Sequence, residues 1–168
     1  MSNTQIISAT ELVFDGKTYR CAVGENGFTA TPKEGKRQTP LGNFALRECW
    51  YRADRLGAPK TPLPVKIIRQ DDGWCDAPEH PEYNRHVKLP FSASHETLWR
   101  DDHAYDIIVP IGFNDTGIIP GKGSAIFFHL MKPGYPPTLG CVAVALPDML
   151  EILEKIDEKT RMVIGSVL

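Results

Sequence analysis

A cysteine and a histidine in the last third of the chain have the types and spacing that nucleophilic catalysis requires. Cys141 follows Gly140, which permits a tight turn, and the apolar run 142–144 predicts a buried strand directly after it. The thiol would then lie at the edge of a sheet, beside loop amides that could stabilise an oxyanion. At its ordinary pKa of ~8.5 a thiol is mostly protonated at neutral pH, so it needs a nearby base.

His129 is the candidate base. It ends an apolar strand, and the eleven residues between it and Cys141 are rich in proline and predict a loop. A strand, a loop and a second strand can return the chain so that imidazole and sulfur meet. The structural alternative is that the cysteine is a buried packing residue and the histidine an ordinary strand-end side chain.

Two segments of the chain carry a family resemblance. Phe128-His129, the loop, and then Thr138-Leu139-Gly140-Cys141 resemble the His…[Ser/Thr]-His-Gly-Cys signature of YkuD-type L,D-transpeptidase domains. Upstream, the segment 33–44 with Thr39-Pro40-Leu41-Gly42-Asn43-Phe44 is similar to the family's G…TPxGxF segment. The two matches have the right order and together span about residues 33–145.

The resemblance implies a β-rich fold and a cysteine acyltransferase that cleaves between meso-diaminopimelate and D-alanine in peptidoglycan stem peptides. It implies that Cys141 is the nucleophile and His129 the base that later protonates the leaving amine. Gly140 and the Cys141 amide become candidates for the oxyanion hole, and Thr138 occupies the Ser/Thr position of the signature.

Two positions depart from the family pattern. Leu139 stands where a histidine is usual, and Ala143 stands where asparagine or arginine is common. The first departure removes one candidate for orienting the imidazole or the thiolate. A backbone carbonyl is then the candidate for the third member of the catalytic group.

Hydrophobic periodicity predicts a mainly β fold with one or two helices (α+β). The family resemblance implies that this fold is a YkuD-like β-sandwich or barrel, which here has a long irregular central insertion. Met149, Ile152, Leu153 and Ile156 recur at helical spacing after Pro147. Asp15-Gly16 predicts a hairpin turn. The predicted strands are Glu11–Asp15, Lys17–Val23, Asn43–Tyr51, Val65–Arg69, Tyr105–Val109, Ser124–His129 and Arg161–Ile164.

The whole chain, 1–168, is expected to form one catalytic domain in which residues 71–104 form a lid or substrate loop. Arginine forms bidentate hydrogen bonds with carboxylates, so arginines of this segment would bind the carboxylates of a stem peptide. The candidate substrate-binding residues are Arg85, Arg100, Trp99, His95, Tyr83 and Asn84. For each of these residues, a surface or loop-fixing role is the structural alternative.

No cofactor and no metal are expected. A zinc site from Cys75, His80, His86 and His95 would match no familiar ligand spacing. Cys21, Cys49 and Cys75 are predicted to pack in the core as reduced thiols.

Composition restricts the partners and the location. The 168 residues carry a formal charge of −2, which disfavours nucleic acid as a partner. No stretch approaches the ~18 apolar residues that span a bilayer, and the first residues lack a leader pattern, so a cytoplasmic location is expected. The expected partner is a small murein peptide, with neither a membrane nor an obligatory protein partner.

The expected activity is an L,D-carboxypeptidase that removes the terminal D-alanine from L-Ala-γ-D-Glu-meso-diaminopimelate-D-Ala during peptidoglycan recycling. Water would resolve the thioester on Cys141. One alternative is an L,D-transpeptidase or D-amino-acid exchange enzyme, in which an amine resolves it. The others are a non-catalytic murein-peptide-binding module, in which Leu139 marks a lapsed site, and an unrelated Cys–His peptidase.

Overall fold

The computed structural model describes residues 3–6 and 8–165, and most of their regular structure is β. No helix in these ranges is long and apolar enough to cross a membrane. In chain order the elements are β1 (Thr4–Ile6), β2 (Glu11–Phe14), β3 (Lys17–Ala22), β4 (Phe28–Thr29), β5 (Thr39–Pro40), β6 (Gly42–Ala45), β7 (Cys49–Tyr51), β8 (Val65–Ile67), β9 (Asp72–Cys75), β10 (His86–Lys88), β11 (His95–Thr97), β12 (Ile107–Pro110), β13 (Phe127–Leu130), β14 (Val142–Val144), α1 (Leu146–Lys155) and β15 (Arg161–Ile164). The prediction of a mainly β fold is confirmed.

One ten-stranded sheet dominates the molecule, in the order β6-β15-β1-β2-β3-β14-β13-β12-β7-β8. β6 and β7 follow each other in the chain yet are eight places apart in this order. A flat sheet would separate them by about 38 Å at ~4.8 Å per strand, whereas the chain from Ala45 to Cys49 reaches at most about 14 Å. The sheet therefore curls until its two ends approach, and Leu46 and Ile111 form a bridge there.

The two faces of the sheet bury different cores. Phe128 and Val142 belong to the larger core, which also contains Met149, Ile152 and Leu153 of α1. Their sequence neighbours Phe127 and Cys141 belong to a second, smaller core on the opposite side.

Residues 71–104 cover that second face and contain more regular structure than their sequence suggests. β9 pairs antiparallel with β10 and β11 in a three-stranded sheet. Trp74 of β9 stacks edge-on against Phe127 of β13, with ring centroids 5.1 Å apart. The strands have only three or four residues, too few for alternation to stand out among prolines and histidines. That this segment acts as a lid stays a prediction.

Most predicted elements lie where the pattern placed them. The Asp15-Gly16 turn joins β2 to β3, and both residues have positive φ. Of the predicted helical repeat, Met149, Ile152 and Leu153 lie in α1, and Ile156 is its C-cap. The predicted strand Asn43–Tyr51 is instead two strands, β6 and β7, because the chain changes partners where the sheet curls. The predicted strand from Ser124 begins only at Phe127, because Ala125 has a φ of 52°.

Candidate active site

Two parallel neighbouring strands bring the predicted nucleophile and base to one cavity. β13 and β14 pair in register, with His129 opposite Ala143. Cys141 lies directly before β14 and two residues from Ala143, so its side chain points to the same face as the imidazole. Both residues line a cavity of about 250 Å³ between the large sheet and the segment 71–104.

The imidazole of His129 is fixed by its own strand and by an aromatic neighbour. Nδ1 lies 2.8 Å from the carbonyl oxygen of Leu130, and the ring of Tyr105 stacks edge-on at a centroid distance of 5.3 Å. A carbonyl can only accept, so Nδ1 carries the proton of the neutral ring and Nε2 keeps its lone pair. Burial lowers the pKa of His129 to about 4, which keeps the ring neutral at physiological pH.

The thiol of Cys141 is held between two backbone groups of the segment before and within β13. The thiol donates to the Ala125 carbonyl at 3.3 Å, and Sγ accepts the Phe127 amide at 3.3 Å. Burial, and next the negative charge of Glu96, raise the pKa of Cys141 to about 12. The resting pair is therefore a neutral thiol and a neutral imidazole.

The loop before Cys141 is closed by two threonine hydroxyls. Thr138 Oγ1 donates to the Cys141 carbonyl at 2.6 Å and accepts the Gly140 amide at 3.1 Å. Thr39 Oγ1 donates to the Gly140 carbonyl at 2.9 Å and accepts the Gly24 amide at 2.8 Å. The upstream Thr-Pro segment thus anchors the nucleophile loop. It lies so close that a Cβ on Gly140, whose φ is 134°, would come within 2.9 Å of the Gln38 carbonyl.

One wall of the cavity carries positive charge. Arg100 and Lys132 both line it. Arg100 binds Asp102 through Nε at 2.8 Å and a terminal nitrogen at 2.6 Å, and its guanidinium carbon lies 4.9 Å from the ring centre of Tyr105. Lys132 Nζ lies 3.7 Å from the same carboxylate, so two cations share one anion at this wall. Of the predicted substrate-binding residues, Arg100 is the one that lines this cavity.

Asn84 and Tyr83 are buried structural residues and do not line the cavity of Cys141. The Asn84 side chain accepts from Trp74 Nε1 and the Ala125 amide, both at 3.0 Å, and donates to two carbonyls of the segment 113–114. Tyr83 donates to Glu34 at 2.5 Å and accepts the amide of residue 123 at 2.9 Å. Asn84 nevertheless acts on the site indirectly, because it fixes the backbone that contacts the thiol.

The other three predicted substrate residues also lie outside this cavity. Arg85 is exposed beside a separate cavity of about 480 Å³. Trp99 stacks under Arg52, whose guanidinium carbon lies 3.5 Å from the ring centre. His95 Nδ1 lies 2.8 Å from the Ala93 carbonyl oxygen. The next residue along the strand, Glu96, does line the cavity. The alternation of a strand explains why one faces the site and the other does not.

Three side chains at the site were not predicted from the sequence: Glu96, Tyr105 and Lys132. The backbone carbonyl expected beside the imidazole is that of Leu130, which the sequence alone did not identify. Tyr105 Oη donates to Glu96 Oε2 at 2.7 Å, and both residues line the cavity. Lys132 could have been found from its place three residues after His129 at the mouth of the same loop. Nothing in the sequence singles out Glu96. Within residues 3–6 and 8–165, no three His, Cys, Asp or Glu side chains are grouped so as to hold a metal.

Comparison with known proteins agrees with this geometry. The profile of the YkuD family, described as the L,D-transpeptidase catalytic domain, matches residues 7–164. No curated protein and no solved structure matches the chain significantly. The matched range contains both the cysteine and the histidine of the cavity and nearly the whole chain. The chain therefore belongs to the YkuD family, whose members are cysteine-dependent enzymes that act on peptidoglycan peptides.

Proposed function

We propose that this chain is an L,D-carboxypeptidase that releases the terminal D-alanine from L-Ala-γ-D-Glu-meso-diaminopimelate-D-Ala. The observation that carries the proposal is the size of the cavity above Cys141, about 250 Å³. Sites for drug-sized ligands occupy roughly 300–1,000 Å³, so this one suits the end of a single peptide with a water molecule. A cross-linking enzyme must seat a second stem peptide at the same sulfur.

Acylation uses the neutral pair. When Cys141 Sγ attacks the diaminopimelate carbonyl carbon, the thiol gives up its hydrogen bond to the Ala125 carbonyl. Its proton passes to Nε2 of His129. The imidazolium then gives this proton to the nitrogen of D-alanine, and the carbon–nitrogen bond breaks to leave a thioester. The Phe127 amide, which already donates to Sγ at 3.3 Å, supports negative charge on sulfur during the attack.

Hydrolysis returns the enzyme to its starting state. His129 takes a proton from water, the hydroxide adds to the thioester, and the thiolate leaves and recovers the proton. Of the two predicted oxyanion-hole amides, that of Gly140 already donates to Thr138, so we assign the role to the Cys141 amide. The Leu130 carbonyl holds the imidazole in the required tautomer, the task that a carboxylate performs in other triads.

The positive wall fits the free carboxylate of the terminal residue. The D-alanine nitrogen must lie beside His129 to receive its proton, and Lys132 follows three residues later in the chain. Arg100 and Lys132 together exceed the charge of Asp102 by one, so the wall attracts an anion. A stem that ends in an amide would lose this attraction.

Product analysis by mass spectrometry tests the activity. The purified protein is mixed with the tetrapeptide, with and without excess D-methionine, beside Cys141→Ala and the matched control Cys21→Ala, which removes a thiol of the larger core. We expect tripeptide and free D-alanine from the wild type and the control, and none from Cys141→Ala. Tetrapeptide that survives intact with the wild type would contradict the proposal.

Two alternatives each have one supporting observation. Leu139 is 68% exposed at the rim of the cavity and could contact an acceptor, as an L,D-transpeptidase would need. Dominant D-methionine exchange in the same assay would favour it. The neutral resting state of Cys141 and His129 suits a non-catalytic binding module instead. Such a module would bind the tetrapeptide but release no D-alanine and exchange no D-methionine.

We place the activity in the cytoplasm, in the recycling of wall peptides. All four cysteines are free and buried in the structure, which suits a reducing compartment. Cell fractionation with an antibody against the native protein checks the location. Recovery mainly from the periplasm would contradict it.

A further inference from the structure

A carboxylate in the cavity has no role in the proposed reaction. Glu96 is the acidic residue among the described side chains that line the cavity of Cys141. It comes from β11, in the segment 71–104, and receives one hydrogen bond, from Tyr105. Its charge disfavours the thiolate of Cys141, so the residue opposes rather than assists the nucleophile. A half-buried carboxylate that faces the nucleophile's cavity and works against the local chemistry needs another explanation.

Its surroundings define a site with two charges of opposite sign. The ring of Tyr105 separates Glu96, bound at the hydroxyl, from Arg100, which lies over the ring face. Both charged groups line the same cavity, so a ligand there meets an anion and a cation one tyrosine ring apart. The terminal D-alanine of the substrate offers only a carboxylate, because its nitrogen belongs to the amide that is cleaved. Glu96 therefore suits a different, cationic group of the ligand.

We propose that Glu96 is a specificity-determining residue that binds a primary ammonium group on the side chain of the residue acylated by Cys141. This inference rests on the proposed function and adds one residue role to it: Glu96 distinguishes a free from a blocked distal amine on the third stem residue. An ammonium beside Glu96 also neutralises the charge that opposes the thiolate. A substrate with this ammonium group thus favours the thiolate of Cys141, whereas in the empty site the charge of Glu96 favours the protonated thiol.

Binding to a protein that cannot turn over separates this inference from the activity. In the Cys141→Ala background, calorimetry compares the tetrapeptide with the same peptide acetylated on the distal amine of diaminopimelate. We expect acetylation to weaken binding about ten- to hundredfold, the range of a hydrogen bond between charged groups. With Glu96→Gln, which keeps an acceptor for Tyr105, the two peptides should bind almost equally. A ratio unchanged by Glu96→Gln would overturn the proposal.

Glu34→Gln is the matched control. Glu34 also accepts a tyrosine hydroxyl, that of Tyr83, and it lies outside the cavity. It should keep the full selectivity for the free amine. If Glu96→Gln does not fold, the ligand is changed instead of the protein. A stem peptide with 2-aminopimelate, which lacks only the distal amine, is compared with the diaminopimelate stem on a protein that retains Glu96. Equally tight binding of the two peptides would then refute the proposal.

Two further results distinguish the possible failures. If Glu96→Gln weakens the binding of free D-alanine and leaves the acetylation effect unchanged, the ammonium recognised is that of the leaving amino acid, and the assignment is wrong. If binding is selective but the wild type turns over nothing, the specificity site stands and the carboxypeptidase proposal fails.

Discussion

Replacing Asn84 by alanine tests how the fold holds the segment that contacts the nucleophile. The side chain makes four hydrogen bonds of 2.8 to 3.1 Å, with Trp74 Nε1, the Ala125 amide and the carbonyls of Phe113 and Asn114. At about 1 kcal/mol each, their loss lowers the free energy of unfolding by about 4 kcal/mol. The residue also has a φ of 56°, which adds about 1 kcal/mol for alanine.

The expected total of about 5 kcal/mol is a large part of the roughly 5–15 kcal/mol that stabilises a domain. For a chain of this size it corresponds to a fall of about 10–20 °C in melting temperature. Thermal and urea unfolding followed by circular dichroism measure both quantities. Below the transition, the turnover number should also fall, because the Ala125 carbonyl that accepts the Cys141 thiol is no longer fixed.

Asn26→Ala is the control for that substitution. Asn26 makes one exposed hydrogen bond from its side chain, to the Lys36 carbonyl at 3.0 Å, so its loss should cost less than about 1 kcal/mol. The reasoning would be refuted if Asn84→Ala were no less stable than Asn26→Ala.

Three more predictions concern the site. Thr39→Val should lower the free energy of unfolding by about 2 to 4 kcal/mol and reduce turnover, because two backbone groups lose the buried hydroxyl. Burial depresses the pKa of His129 to about 4, so as the pH falls this histidine is protonated in the unfolded chain before it is protonated in the folded one. The free energy of unfolding should therefore decrease by roughly 3 kcal/mol between about pH 6.5 and pH 4. Iodoacetamide should alkylate Cys141 much more slowly at pH 7 than a simple thiol, and faster as the pH rises towards its pKa of about 12.

Each of these has its own control. Thr31→Val removes an exposed hydroxyl and should change stability little, and an equal loss from both threonines would contradict the anchoring role of Thr39. The wild type is the reference in urea unfolding at several pH values, where His129→Gln should flatten the acid slope; a slope unchanged by His129→Gln would contradict its assignment. Mass spectrometry gives the alkylation rate, and a rate at pH 7 equal to that of glutathione would contradict the raised pKa of the Cys141 thiol.

The sequence was sufficient where chemistry and periodicity coincide. A histidine at the end of one apolar strand and a cysteine at the start of the next predicted two side chains at one site, and parallel pairing of β13 with β14 places both on the same face. The hairpin at Asp15 followed from a turn that few residues can form. In both cases the deciding interaction is local.

The walls of the cavity could not be predicted in the same way, because they depend on contacts distant in sequence. In β11, a shift of one residue decides whether His95 or Glu96 faces the thiol, and three residues give no alternation to decide it. Asn84 and Tyr83 have the polarity of substrate contacts, but their partners are backbone groups and a carboxylate brought together by the fold. Arg100 was found by its charge, and Asp102, which orients it, became apparent only in three dimensions.

Intact-protein mass spectrometry during turnover tests the central claim most directly, that Cys141 carries the acyl group. The protein is mixed with the tetrapeptide, quenched in acid within seconds and weighed, beside Cys141→Ala and His129→Gln. We predict a wild-type adduct with the mass of the tripeptide acyl group, localised to Cys141 after digestion, and none on Cys141→Ala. Tripeptide formed without such an adduct, or an adduct that persists in Cys141→Ala, would contradict the account.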